Sequence, residues 1–241
     1  MEIKRLIRTL VSRFLLLLIM IACIIPFITV LILPARIRSN NRFYYWFADF
    51  FYKAVVKCSF LPVKIIGKEH IPHDEPAVIV ANHQSSLDIP LVGSLLDRYP
   101  HVWMATTTLL DSPILRFVLP RVTVLVDMST PLTGMKSLLK AINLINGQNR
   151  HVIIFPEGTR YSDGSVHEFY AGFVILSRKT GRPVVPIRIF GANKAYPPGV
   201  FLLQDSPITL VVGAPMREQE FESDEEFKNR VYQWFLDQKE P

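Results

Sequence analysis

The sequence predicts an α/β fold, a mixed sheet flanked by helices, with a membrane-inserted helical segment at its N-terminal end. Three observations predict it. From about residue 60 onward, short apolar runs of strand length alternate with longer stretches of helical pattern. Before them stands a charge-free apolar run from Phe14 to Leu33. Positive charge gathers around that run: residues 1–68 carry eleven Lys and Arg against Glu2 and Asp49, whereas the remainder carries sixteen against nineteen acids.

The apolar run reads FLLLLIMIACIIPFITVLIL. Twenty residues at about 1.5 Å each span roughly the 30 Å of a bilayer core. Lys4, Arg5, Arg8 and Arg13 precede it, and Arg36, Arg38 and Arg42 follow it. The run is long for a signal peptide and no small-x-small cleavage site follows. A buried core helix rarely runs so far without a polar face. Basic residues on both flanks leave the orientation open. Pro26 is expected to kink or break the helix, which suits a re-entrant element, with a single pass as the alternative. Residues 43–60 are aromatic-rich and suit an interfacial helix. Charge bracketing an apolar segment favours an anionic cytoplasmic leaflet over nucleic acid. Two cysteines, one of them inside the apolar run, argue against a disulfide framework.

The expected division is a membrane anchor with interfacial helix over residues 1–60 and a catalytic domain over 61–241. In the latter, strands are expected at 62–67, 77–82, 102–106, 122–127, 151–155, 184–190 and 208–213. Helices are expected from Leu87 to Leu96, Pro113 to Leu119, Pro131 to Ile145, Glu168 to Thr180 and Glu222 to Leu236.

Two strings carry chemistry. After the strand AVIVAN comes Asn82-His83-Gln84-Ser85-Ser86-Leu87-Asp88. A chain that turns there lets Asp88 fold back on the imidazole of His83 and fix its tautomer. The other ring nitrogen is then left to take a proton from an alcohol. A helix-capping contact explains the same pair equally well. After the strand HVIIF comes Phe155-Pro156-Glu157-Gly158-Thr159-Arg160. Its glycine allows close backbone approach, and Arg160 offers a planar fork of donors for phosphate. An ordinary turn with a Glu157–Arg160 ion pair is the competing reading.

His-x-x-x-x-Asp within NHQSSLD, then FPEGTR about seventy residues later, then Val-Val-Pro-Ile at 184–187, resembles the glycerolipid acyltransferase family over roughly residues 60–215. The 1-acyl-glycerol-3-phosphate acyltransferases are its best-known members. The resemblance implies a fatty acyl donor, either acyl-CoA or acyl-carrier protein, and a lysophospholipid acceptor. No further cofactor and no metal is implied. His83 would be the base and Asp88 its orienting partner. Glu157, Gly158, Thr159 and Arg160 would shape the acceptor site, with Arg160 on its phosphate. Pro186 would lie near the acyl chain. Membrane lipids would surround the anchor, with the catalytic domain on the cytoplasmic face.

Three cations of the family pattern are missing. Its Arg between the main motifs is Met128, its Gly there is Val122, and its upstream Lys is Thr106. The Phe-Lys-x-Gly segment reads Phe169-Tyr170-Ala171-Gly172. Arg116, Arg121, Arg178 and Lys179 are the available substitutes. Other readings are an acyltransferase for a less charged lysolipid and a non-catalytic membrane protein of the same fold. A serine hydrolase finds no G-x-S-x-G elbow, and a metal hydrolase finds no H-E-x-x-H pair.

Overall fold

The computed structural model describes residues 2–34, 37, 41–218 and 223–240. Seven strands form one sheet: β1 (Val63–Ile66), β2 (Val78–Ala81), β3 (His101–Thr106), β4 (Thr123–Val126), β5 (His151–Ile154), β6 (Val184–Phe190) and β7 (Ile208–Val212). Their order is β1-β7-β6-β2-β5-β3-β4. Every pairing is parallel except β6 with β7. The mixed sheet expected from the alternating pattern is therefore present. All seven expected strands form, each end within one residue of the expected position.

Helices cover both faces. They are α3 (Asp88–Gly93), α4 (Pro113–Val122), α5 (Pro131–Ile145), α6 (Gly172–Thr180), the single turn α7 (Ala192–Ala195) and α8 (Asp224–Asp237). The central strands β2 and β6 are buried throughout, so both faces of each must be apolar. Ile79, Ala81, Ile153, Val185 and Ile187 meet Leu91, Leu95 and Leu96 on one face. Val78, Val80, Val152 and Val184 meet Ile142 of α5, Phe173 of α6 and Phe227 of α8 on the other.

Four helices differ from their expected bounds by two residues or more; α4 runs on through Pro120 to Val122 rather than ending at Leu119. α3 stops at Gly93, where the Ser94 hydroxyl turns back to the Leu91 carbonyl at 2.7 Å. Gly93 also lets a neighbouring helix approach: a Cβ there would stand 2.5 Å from the Tyr52 ring. α6 begins at Gly172 rather than Glu168, because Tyr170 N–H donates to Pro156 O at 2.9 Å and draws that stretch away from helix. The expected start of α8 at Glu222 lies outside the described residues, and its cap is Ser223, whose hydroxyl accepts from Glu226 N–H while Glu226 returns the bond.

The N-terminal segment is α1 (Glu2–Ile32), followed by the aromatic-rich α2 (Arg42–Cys58). α1 continues through Pro26 without the expected break. The missing proline N–H leaves one carbonyl without its usual donor, too little to end a helix of 31 residues. Leu15 of α1 lies beside Phe50 and Cys58 of α2, so the two helices form a hairpin. α1 is long and apolar enough to cross a membrane, and little of it is buried. Its basic end does not project freely. Arg5 and Arg8 pair with Asp205, Arg8 also donates to Leu203 O, and Arg13 donates to Tyr196 Oη at 2.7 Å. Three of the four basic residues that precede the apolar run are thus bound to the loop after β6. Arg36 and Arg38 lie outside the described residues.

Two buried histidines sit where β3 and β5 begin. His101 Nδ1 donates to Tyr99 O at 2.9 Å, and its other nitrogen faces the Tyr52 hydroxyl at 3.3 Å. His151 Nδ1 accepts from Ala77 N–H at 2.9 Å. Burial pulls His101 down to about 4 and His151 to about 3. An unfolded histidine titrates near ~6.5, so below that value the unfolded chain binds protons that the folded chain refuses. Stability should therefore fall as pH drops from about 6.5 through these values, by on the order of 3 kcal/mol per histidine. Melting temperatures by circular dichroism from pH 7 to 4 check this. A His151→Asn chain should show a shallower acid limb, and a flat wild-type profile would refute the assignment.

Candidate functional site

The site lies at the carboxyl ends of β2 and β5, neighbours in the sheet with Val78 opposite Val152. Each strand ends on one of the two strings singled out above. β2 delivers Asn82 and His83, and the first residue of α3 is Asp88.

His83 Nδ1 donates to Asp88 Oδ2 at 2.8 Å. The same oxygen accepts the backbone N–H groups of Gln84 at 2.5 Å and Ser85 at 2.7 Å. Asp88 is fully buried, whereas the His83 side chain keeps 14% of its surface. The imidazole stacks on Phe155, with ring centroids 4.1 Å apart and planes 11° from parallel. With Nδ1 committed as donor, Nε2 holds the lone pair. A lone pair on an oriented, partly exposed imidazole can take a proton from a hydroxyl.

The second string supports the first. Glu157 is 3% exposed. Its Oε1 accepts His83 N–H at 3.0 Å and its Oε2 accepts His167 N–H at 3.4 Å. Tyr161 N–H donates to His83 O at 2.9 Å. The loop after β5 therefore holds both main-chain groups of His83. Glu157 makes no ion pair with Arg160, so the simple-turn reading of FPEGTR does not apply. Burial raises the Glu157 carboxyl to about 7, against the opposing pull of the two backbone donors and of the charges on His167 and Arg188. Gly158 is left-handed at φ +70°, and a Cβ there would meet the Tyr170 ring at 2.8 Å.

Thr159 and Arg160 are exposed. Among the described residues Arg160 makes no hydrogen bond or ion pair, so its guanidinium is available. Met128 is also exposed, and its methyl stands 3.8 Å from the position a Gly158 Cβ would take. The family's missing arginine thus falls at the rim of this site. Pro186 is buried in β6 against Gly213 and Trp234, as a core position.

Arg121, Arg178 and Lys179 do not stand in for it. α6 feeds the start of β6, so its last-turn residues Arg178 and Lys179 lie at the opposite edge of the sheet from His83. Arg178 is moreover paired with Glu218 and Asp224. Arg121 precedes β4 and Met128 follows it, which separates them by a four-residue strand, roughly 13 Å. Arg121 turns back to Phe117 O and covers the Phe117 ring at 3.9 Å. Arg116 is held by Leu110 O at 3.0 Å.

Sequence reasoning missed three participants. Asn82 bonds both main-chain groups of Ile189, at 3.1 and 2.7 Å, and locks the end of β2 to β6. Ser85 Oγ donates to Tyr196 O at 2.8 Å. Arg188 is buried beneath the loop after β5, where its Nη2 donates to Gly164 O at 3.2 Å. A charged residue in the middle of the apolar run VVPIRIF was the available signal for the last.

Comparison with known proteins gives the family. A profile of the acyltransferase family matches residues 62–190, which include both strings. The chain belongs to that family, and it is an O-acyltransferase. It is similar to a 1-acyl-sn-glycerol-3-phosphate acyltransferase of Limnanthes douglasii, 30% identical over 82% of this chain and 69% of that one. A protein of the same description from Pseudomonas aeruginosa is 28% identical over 78% of this chain and 72% of its own length. The crystal structure of the 1-acyl-sn-glycerophosphate (LPA) acyltransferase PlsC from Thermotoga maritima is similar throughout. The TM-score is 0.75 at 26% identity, with 98% of this chain and 96% of that one covered.

Glu157 gives a test of the supporting loop. Glu157→Ala leaves the buried His83 N–H without its acceptor, which should lower stability by about 1–3 kcal/mol and reduce turnover. Glu157→Gln keeps an oxygen for His83 and should retain turnover within about tenfold. Paired melting and initial-rate measurements check both. Unchanged stability and turnover in Glu157→Ala would show that the loop does not hold His83.

Proposed function

We propose that the protein transfers a fatty acyl group from a thioester, on coenzyme A or acyl-carrier protein, to the free hydroxyl of 1-acyl-glycerol-3-phosphate. The observation that carries the reading is His83 Nδ1 tied to buried Asp88, with Nε2 unengaged among the described residues. Nε2 takes the proton of the acceptor hydroxyl as its oxygen attacks the thioester carbonyl. The carbon–sulfur bond then breaks, and the imidazolium returns a proton to the leaving thiolate. Asp88 stabilises the imidazolium between these steps. Neither acyl-enzyme nor cofactor enters. Arg160 reaches the acceptor phosphate with its unengaged guanidinium, while Glu157 and Gly158 act by shaping the loop that carries it.

Membrane placement belongs to the same reading. The α1–α2 hairpin leaves the catalytic domain and returns to it, which supports a re-entrant anchor with its two ends on one face. That face is taken as cytoplasmic, where thioester donors are found. Protease protection in sealed, oriented vesicles tests the side.

Met128 favours a second acceptor. An exposed thioether at the site rim, with Arg121 a strand length away, leaves Arg160 to meet a phosphate monoester alone. An acceptor with a less charged head group demands less of the site.

His83→Ala should lower turnover by about 10² to 10⁴ while leaving folding and membrane binding intact. Near-normal turnover would exclude the mechanism. Arg160→Ala should raise KM for lysophosphatidic acid by the loss of a charged hydrogen bond, roughly 1.5–3 kcal/mol. If Met128→Arg turns lysophosphatidic acid from a poor into a good acceptor, the second reading stands.

A further inference from the structure

At the base of the hairpin, α1 and α2 leave an open groove of about 500 Å³. Leu15 forms one wall, and Phe50, Lys53, Lys57, Cys58 and Phe60 form the other. Within the groove the two lysines lie between Phe50 and Phe60. Lys53 and Lys57 stand one turn apart where α2 comes down to the catalytic domain. Lys53 is already paired with Asp49 and Asp97. Lys57 has no ion-pair partner among the described residues. Away from the domain the face of α2 continues as a ladder of half-exposed aromatic rings. Phe50 stacks on Trp46 at 6.1 Å, and Trp46 on Phe43 at 5.9 Å.

Phe60 marks the end of α2. It follows the Ser59 cap, its φ of +53° is the left-handed turn that closes a helix, and its N–H donates to Lys57 O at 3.2 Å. Its half-exposed ring lines the groove beside Lys57.

We infer that this groove binds an anionic diacyl phospholipid of the surrounding leaflet, at a site separate from the acyl-transfer centre. The lipid phosphate sits on Lys57, and the acyl chains run along Leu15, Phe50 and the aromatic ladder. Both polarity and direction match. The cation lies at the level of the catalytic domain, and the apolar rings lead up the hairpin into the bilayer. Basic pockets between membrane helices on the cytoplasmic side recognise anionic head groups in this manner. The inference rests on the membrane placement proposed above, but not on the acyl-transfer mechanism.

The test uses the purified full chain, delipidated in detergent and offered equal amounts of phosphatidylglycerol and phosphatidylcholine. Native mass spectrometry counts the lipid retained. One phosphatidylglycerol per chain should be kept over phosphatidylcholine by at least about fivefold, the weight of one lysine near a lipid head group. Lys57→Gln should lose that preference, and Lys57→Arg should keep it, which separates charge loss from misfolding; Phe50→Ala should lower retention of both lipids alike. Equal retention of the two lipids, or a preference undiminished in Lys57→Gln, would overturn the assignment. Acyl transfer by Lys57→Gln on micellar substrate is read separately. Its presence or absence judges the catalytic reading without touching this one. Failure of the wild-type chain to bind vesicles of either lipid would instead defeat the membrane placement.

Discussion

One carboxylate oxygen organises the catalytic turn. Asp88 Oδ2 receives the His83 ring and the N–H groups of Gln84 and Ser85. The two backbone bonds fold the chain back on itself between strand and helix, and the same folding brings the imidazole to the oxygen. Backbone shape and ring tautomer are therefore one event. Hydrogen bonds to an ionised acceptor are roughly twice as strong as neutral ones, and burial keeps water from competing for them. The five-residue spacing has a physical meaning on this view. It is the length of chain needed to leave β2, turn, and start α3 with its first side chain pointing back.

The turn needs a frame, and each neighbour in space supplies part of it. Asn82 pins the end of β2 to β6 through both main-chain groups of Ile189. Glu157 and Tyr161 take the two main-chain groups of His83 from the loop after β5. Ser85 reaches the loop after β6 through Tyr196 O. The motif is thus held on both sides by strands that lie next to β2 in the sheet. Glu157 has its place in this frame because a buried carboxyl can serve two separate N–H donors at once, a task no apolar residue can perform.

The strands were legible because buried apolar runs bounded by turns carry a plain signal, and the His83–Asp88 pair was legible from spacing. Other features were invisible for definable reasons. The role of Glu157 could not be read, because a carboxylate that serves distant backbone groups leaves no local pattern. Charge counting assigned Arg5, Arg8 and Arg13 to the leaflet, since a sum of charges ignores partners such as Asp205 nearly two hundred residues away. Arg121 looked close to Met128 by number, but a strand lies between them. The early end of α3 and the late start of α6 depend on contacts made across the sheet, beyond the reach of periodicity.

The docking of α1 changes what an anchor is here. Thr9 and Ser12 on α1 are buried, and Thr9 Oγ1 accepts from Leu203 N–H at 3.1 Å. Arg13 both donates to the Tyr196 hydroxyl and lies over its ring at 4.9 Å. Tyr196 in turn gives its carbonyl to Ser85, three residues from Asp88. The path from the apolar helix to the catalytic turn therefore runs through the side chains of Arg13, Tyr196 and Ser85 and one carbonyl. A boundary at residue 60 divides the chain by composition, and contacts cross it at two places: the first turns of α1 dock on the loop after β6, and the end of α2 docks through Tyr52 and Lys53. A helix tied down in this way cannot act as a loose tether. It ties the carboxyl ends of β2 and β5 to the apolar helix, which suits the membrane placement and the lipid acceptor proposed above.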